Sequence, residues 1–510
     1  MKNFKFIYIT IGILAFTACN DPEDVDIAPE VMVEESVELT AGSADFSNYV
    51  SIGNSLTAGF TDGALFQAGQ ELSLPNLLSQ KFSLVGGGSF TQPLTNDNLG
   101  GLAAGGARIQ DPRLVFGGAG PVGLETLIGP VTVTTDIALN NPTGPFNNLG
   151  VPGAKSFHLL APGYGNLANV SLGLANPYAV RLTGTTPNAS VLELAVAQAP
   201  SFFSIWGGEN DVLGYATSGG DGTNPITPVS GAPGVGFDGS YGALIATLTA
   251  GGAQGVVANI PNVLNIPHFT TVPHNPVPLD AATAAAVNGA YIPYNGGLQA
   301  AFGALAGTGL FTQEELDART ISFVEGANNA VVIEDETLTD LGAINPAFAA
   351  LPKIRQATAD DLLVLPAASF IGTLAVEGNP LTVNGVAIPL ADKWVLLPSE
   401  QEEITAATEA FNQIIAATAS QAGLAFVDAN SLLNQLANGG ITSGQFTLTS
   451  SLVTGSAFSL DGIHPTARGY ALLANEFMKA IDVTYGSNFE ASGNLLNVGD
   501  YPTNFSPMLQ

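Results

Sequence analysis

Four short runs of the chain are apolar with almost no polar alternation: 47–53 (SNYVSIG), 201–207 (SFFSIWG), 255–261 (GVVANIP) and 423–428 (GLAFVD). Each is bounded by turn-forming residues, the pattern of strands buried on both faces of a parallel sheet. Helical spacing appears between and after them. From Pro398, Ile404, Ala407, Phe411, Ile414 and Ile415 recur on one face up to Gly423, a C-cap residue, and Ser399 with Glu402 has capping-box spacing. Tyr470, Leu473, Ala474, Phe477, Met478 and Ile481 are spaced i, i+3, i+4, i+7, i+8, i+11, which marks a last helix with a buried stripe. Strands alternating with helices predict an α/β fold.

Two long irregular regions interrupt this pattern, at about 84–145 and 268–398. The first is Gly-rich and nearly uncharged, and is expected to form a mobile apolar cover over a cleft. The second mixes helical pieces (DAATAAAVNGAY, TQEELDA, TADDLLVL) with a hairpin-like LTVNGVAI, whose Asn-Gly is the turn signal. Both are expected to be insertions at the carboxyl ends of the strands, where open α/β sheets bind ligands.

Composition narrows the function. With 43 acidic and 13 basic residues, a formal charge of −30 excludes nucleic acid and an anionic membrane surface as partners. The N-terminus carries Lys2 and Lys5, an apolar run too short to span a bilayer, and then the only cysteine, Cys19. FTAC resembles a bacterial lipobox, which implies a lipoprotein signal peptide over 1–18 and lipidation of Cys19, with membrane attachment through that lipid. Residues 19–44 are acidic and Pro-containing, the composition of a solvated tether. Acidic residues directly after the cysteine resemble surface-export signals of some Gram-negative lipoproteins, so the expected location is the cell envelope, at the outer membrane and surface-exposed.

Loops immediately after the strands carry the candidate chemistry. After the first strand comes Gly53-Asn54-Ser55-Leu56; after a region around 146–149 comes NLGVPGA with Gly150 and Gly153; after the next comes Gly207-Gly208-Glu209-Asn210-Asp211. In a parallel sheet these loops share one edge, so Ser55, Gly153 and Asn210 can meet. Taken singly, Ser55 is either a helix cap or a nucleophile, and Asn210 either an Asx-turn residue or a hydrogen-bond donor. Of four histidines, only His464 has a carboxylate at short spacing, Asp461, in LDGIHPTARGY. Asp461 can accept from Nδ1–H and leave Nε2 free to take a hydroxyl proton. His158 is expected to be a helix or pocket residue. His268 and His274 lie in a Pro-rich loop without the cysteine or paired carboxylates a metal site needs; Phe202 and Phe203 are expected in the core, with Trp206 either there or against a substrate.

In order and content, the blocks Gly53 to Leu56, Asn148 to Gly153, Gly208 to Asp211 and Asp461 to Pro465 are similar to those of the SGNH, or GDSL, hydrolase superfamily of esterases and lipases. The resemblance implies a flavodoxin-like three-layer α/β/α sandwich over 45–485, with a C-terminal tail over 486–510. It implies Ser55 as nucleophile, His464 as general base and Asp461 as its orienting carboxylate. The implied oxyanion hole is the main-chain N–H groups of Ser55 and Gly153 with the Asn210 amide. The implied activity is a serine esterase or lipase, with no metal or cofactor, acting on a lipid or acylated-carbohydrate ester. A carbohydrate O-acetylesterase and a non-catalytic surface binding protein are the alternatives. Asn54 departs from the family, which has aspartate there.

Overall fold

All four apolar runs become strands of one five-stranded parallel sheet: β1 (Tyr49–Gly53), β3 (Phe202–Trp206), β4 (Gln254–Ala258) and β5 (Ala425–Val427), joined by β2 (Asn148–Gly150) from the 146–149 region. The spatial order is β2-β1-β3-β4-β5. The computed structural model describes residues 37–222 and 224–509, so the signal segment, Cys19 and most of the expected tether lie outside the described residues. Leu39–Gln510 forms one unit, which contains the whole sheet and the helices around it.

The helices that matter for the site are α1 (Ser55–Ala58), α2 (Leu74–Phe82), α3 (Val191–Val196), α4 (Asn210–Thr217), α5 (Phe237–Thr249), α6 (Ala281–Ala304), α7 (Pro398–Ala422), α8 (Ala429–Ala437) and α9 (Ala467–Tyr485). Strand side chains alternate between faces. One set meets α2 and α9: Tyr49 lies 5.0 Å from Phe82, Phe202 5.8 Å from Tyr485 and Trp206 5.9 Å from Phe477, between ring centroids. The alternate residues Val50, Ile52, Phe203 and Ile205 are fully buried, while α3 packs on β1 and α5 packs on α3 and α7. Phe237 of α5 stacks on Phe411 of α7 at 4.1 Å. Each such buried side chain contributes about 1.5–3 kcal/mol.

Local sequence signals failed at three places. TADDLLVL forms no helix: Leu362–Leu363 pairs antiparallel with Val395–Leu396, because burying Leu363 and Val364 in the core outweighs helical propensity. LTVNGVAI forms no two-stranded hairpin. Gly385 N donates to Ile388 O at 2.7 Å and the segment curls so that Val386 is buried. At α7 the N-cap is Leu397, which has no side-chain acceptor, and Glu400 rather than Glu402 reaches back to accept from Leu397 N at 2.6 Å. The predicted C-cap Gly423 is in the left-handed region, φ 65°.

The first insertion is a pair of short hairpins, Leu102–Ala104 with Ala107–Gln110 and Leu114–Phe116 with Pro121–Gly123. The expected tail is packed: Phe489 is fully buried, Phe505 meets Phe66 at 4.9 Å, and Arg113 donates to Ser506 O at 2.6 Å.

Because the strands are parallel, Ser55, Gly153 and Asn210 come after strand ends at the same edge. Gly53 makes the first turn possible. A Cβ there would lie 2.1 Å from Trp206 O and 2.2 Å from Thr57 Oγ1. Gly53→Ala is therefore expected to lower the free energy of unfolding by about 1–3 kcal/mol through overpacking, read from urea denaturation; an unchanged midpoint would contradict this packing.

Candidate active site

The turn after β1 removes the helix-cap reading of Ser55. Asn54 is the cap: its Oδ1 accepts from Leu56 N at 3.0 Å, and Ser55 occupies the first helical position of α1, nearly buried at 8% exposure. Gly59, φ 82°, ends α1 after one turn. A short helix capped at both ends fixes the serine against the sheet edge.

The second loop lies beside the first. Val151 N donates to Gly53 O at 3.0 Å, so Gly153 and Ser55 each lie two residues beyond a bonded pair. Gly153 adopts φ 79°, the left-handed conformation that a side chain disfavours. Asp211 secures the loop, accepting from Ser156 N at 2.8 Å and Ser156 Oγ at 2.7 Å. Asn210, at the start of α4, donates one Nδ2 hydrogen to Ala154 O at 3.0 Å, which leaves its second hydrogen uncommitted. Among the described residues, the backbone N–H groups of Ser55 and Gly153 donate to nothing. Three donors thus stand uncommitted on adjoining loops.

A fourth loop carries the histidine. His464 Nδ1 bonds Asp461 Oδ2 at 2.8 Å, while Asp461 Oδ1 accepts from Ile463 N and His464 N, both at 2.8 Å, and from Ser459 Oγ at 3.0 Å. Burial alone would raise the Asp461 carboxyl, but the His464 ring and these donors hold it well below the usual carboxylate range. With Nδ1–H donated to Asp461, Nε2 is left to accept a proton. No hydrogen bond joins His464 to Ser55 among the described residues; both line the same cavity.

A tight turn after α1 ties this loop to the serine. Thr61 and Ala64 exchange backbone hydrogen bonds at 3.2 and 3.1 Å around Asp62-Gly63, both with positive φ (51° and 76°). Asp62 Oδ1 accepts from Leu460 N at 3.1 Å, Asp62 N donates to Ser459 Oγ at 3.0 Å, and Gly63 N donates to Asp461 Oδ2 at 2.9 Å. The Phe60 ring lies 4.6 Å from that of His464. Both insertions brace the arrangement: Leu114 N donates to Asp62 O at 2.7 Å, and His268 N to Gly462 O at 2.9 Å.

Sequence reasoning missed Asp62, Ser459, Glu209 and Asp211, although Asp-Gly at 62–63 and the polar run 209–211 were visible signals. Glu209 explains Asn54. The buried Glu209 carboxylate accepts from Asn54 Nδ2, so an aspartate at 54 would place two carboxylates together where an amide supplies both an acceptor for Leu56 and a donor for Glu209. Burial pushes Glu209 up to about 7.

A cavity of about 80 Å³ opens on Ser55, Asn210 and His464; Gly153 is not among its lining residues. Its other walls are almost wholly apolar, including Leu213, Val263, Leu432, Leu436, Leu472 and Leu473. The first insertion contributes no wall. The expected cover is replaced by α8, α9 and the segment after β4. Trp206 is in the core as one of its two readings had it, and there it also lines the cavity and donates Nε1–H to Asn259 O at 3.3 Å. His158 lies outside it, stacked on Tyr164 at 4.6 Å. The chain matches no protein-family model, no curated protein and no solved structure.

Glu209 contributes a pH dependence to the site. Its carboxyl is raised above its ordinary 4.5, so its contribution is greatest at low pH and is lost as pH climbs from 4.5 toward about 7. Glu209→Gln keeps an acceptor for Asn54 and removes that loss. The variant is expected to gain stability over wild type through this window in denaturant unfolding, and a pH-independent difference would contradict it.

Proposed function

We propose that this chain is a serine hydrolase of the SGNH type that cleaves carboxylic esters through an acyl-enzyme. The observation that carries the reading is the set of three uncommitted donors, at Ser55, Gly153 and Asn210 on adjoining loops, with a histidine that lines the same cavity as Ser55 and Asn210 and whose other nitrogen is held by a largely buried carboxylate. Ser55 Oγ attacks the ester carbonyl carbon while His464 Nε2 takes its proton. The resulting oxyanion accepts from Ser55 N–H, Gly153 N–H and Asn210 Nδ2–H. Collapse breaks the bond to the alcohol oxygen, which leaves with the proton from His464, and water repeats the sequence to release the acid. Asp461 orients the imidazole and balances its charge.

The β2-β1-β3-β4-β5 order, with helices on both sets of strand side chains, supports a flavodoxin-like three-layer arrangement. The apolar cavity supports an acyl chain longer than acetyl, since beyond Ser55, His464, Asn210, Asn54 and Glu209 it presents little to bond sugar hydroxyls. The lipobox-like FTAC supports a lipoprotein held in the outer membrane by Cys19.

A fluorophosphonate probe is expected to label Ser55 and to fail on Ser55→Ala and His464→Ala; absence of label on wild type would favour the non-catalytic alternative. Asn210→Ala is expected to lower kcat by ~10²–10³ with KM little changed. Across p-nitrophenyl esters, turnover should rise from acetate to longer chains. Preference for acetate with little activity beyond butyrate would point instead to an O-acetylated carbohydrate.

A further inference from the structure

Away from this cleft, three carboxylates from two parts of the chain converge. Ligand oxygens of Glu336, Asp392 and Glu400 all lie within 4.8 Å of one another. Glu400 is 4% exposed; its Oε2 accepts from Leu397 N, but its Oε1 has no hydrogen-bond partner, and neither has the buried Asp392 Oδ1. The Gly219-Gly220 backbone lies close to Oε1 without serving it. A Cβ on Gly220 would sit 1.9 Å from Oε1, yet Gly220 N donates to Tyr215 O at 3.1 Å.

No lysine or arginine forms an ion pair with any of the three among the described residues. Lys353 Nζ donates to the Glu336 carbonyl instead, and Lys393 Nζ lies over the Trp394 ring. Buried carboxylate oxygens without donors or counter-ions are costly unless a cation takes them.

We infer that Glu336, Asp392 and Glu400 form a calcium site. Hard oxygen ligands alone suit Ca²⁺ or Mg²⁺, and the number of protein carboxylates favours the first. Ca²⁺ accepts several carboxylates in a flexible protein cage, whereas Mg²⁺ keeps several waters and is usually held by one or two carboxylates. The ion would join three elements: the turn after Glu334, the segment before α7, and the first turn of α7, seated against the Gly219-Gly220 loop that ends α4. Since α4 begins at Asn210, the site anchors the second insertion to the helix that presents that amide. This site is independent of any hydrolase activity.

The test is calorimetric titration and thermal unfolding of the full chain after EDTA treatment, with Ca²⁺ and with Mg²⁺. Wild type is expected to bind one Ca²⁺, to gain thermal stability in millimolar Ca²⁺, and to bind Mg²⁺ about tenfold more weakly or worse. The double variant Glu400→Gln, Asp392→Asn should lose both binding and stabilisation. Its calcium-free Tm should equal or exceed that of calcium-free wild type, because two facing charges are neutralised, and this separates a lost ligand from a lost fold. Absence of binding and shift in wild type, or undiminished calcium binding in the variant, overturns the assignment.

Discussion

The carboxylate of Asp461 is the junction on which the candidate site depends. It accepts five hydrogen bonds, from Gly63 N, Ser459 Oγ, Ile463 N, His464 N and His464 Nδ1. Four of them shape its own loop and orient the imidazole; the fifth comes from the segment directly after the serine's helix, 398 positions earlier. A buried carboxylate must be satisfied or give up its charge, and charge-assisted hydrogen bonds are about twice as strong as neutral ones. The requirement that keeps Asp461 ionised therefore also fixes where His464 stands relative to Ser55.

Other carboxylates work in the same way. Glu209 holds Asn54, Asp211 holds Ser156, and Asp62 holds Leu460 N, so each loop of the site is tied by a buried acid to a neighbouring loop. The reason lies in composition. With 43 acidic residues against 13 basic ones, few acids can find a lysine or arginine, and amide N–H groups take their place. At Glu336, Asp392 and Glu400 those donors fall short: one oxygen each of Asp392 and Glu400 has none among the described residues. There a cation completes the same logic.

How much was legible depended on how local the cause was. β1, β3, β4 and β5 were readable because strands buried on both faces need continuous apolar residues, a local property. Gly423 as a C-cap was readable because a left-handed residue ending a helix favours glycine. TADDLLVL was misread because its pairing partner, Val395–Leu396, lies some thirty positions away and outweighs its helical composition. The capping glutamate of α7 was misplaced because Ser399 matched the motif while Pro398 at the first helical position made Leu397 the cap. The apolar cover assigned to the first insertion was wrong for a similar reason: glycine content describes a loop's freedom, not where it lies.

By itself the sequence determined the strands, the main helices and the chemical types at 55, 153, 210, 461 and 464, since each depends on a residue and its near neighbours. Tertiary structure alone decided what those residues face. It gave the cap to Asn54 and the amide there a buried glutamate as partner, tied Gly63 to Asp461, drew the cavity walls from α8 and α9, and brought Glu336, Asp392 and Glu400 together. Contacts between residues hundreds of positions apart are set by the folding of the whole sheet, and no local pattern records them.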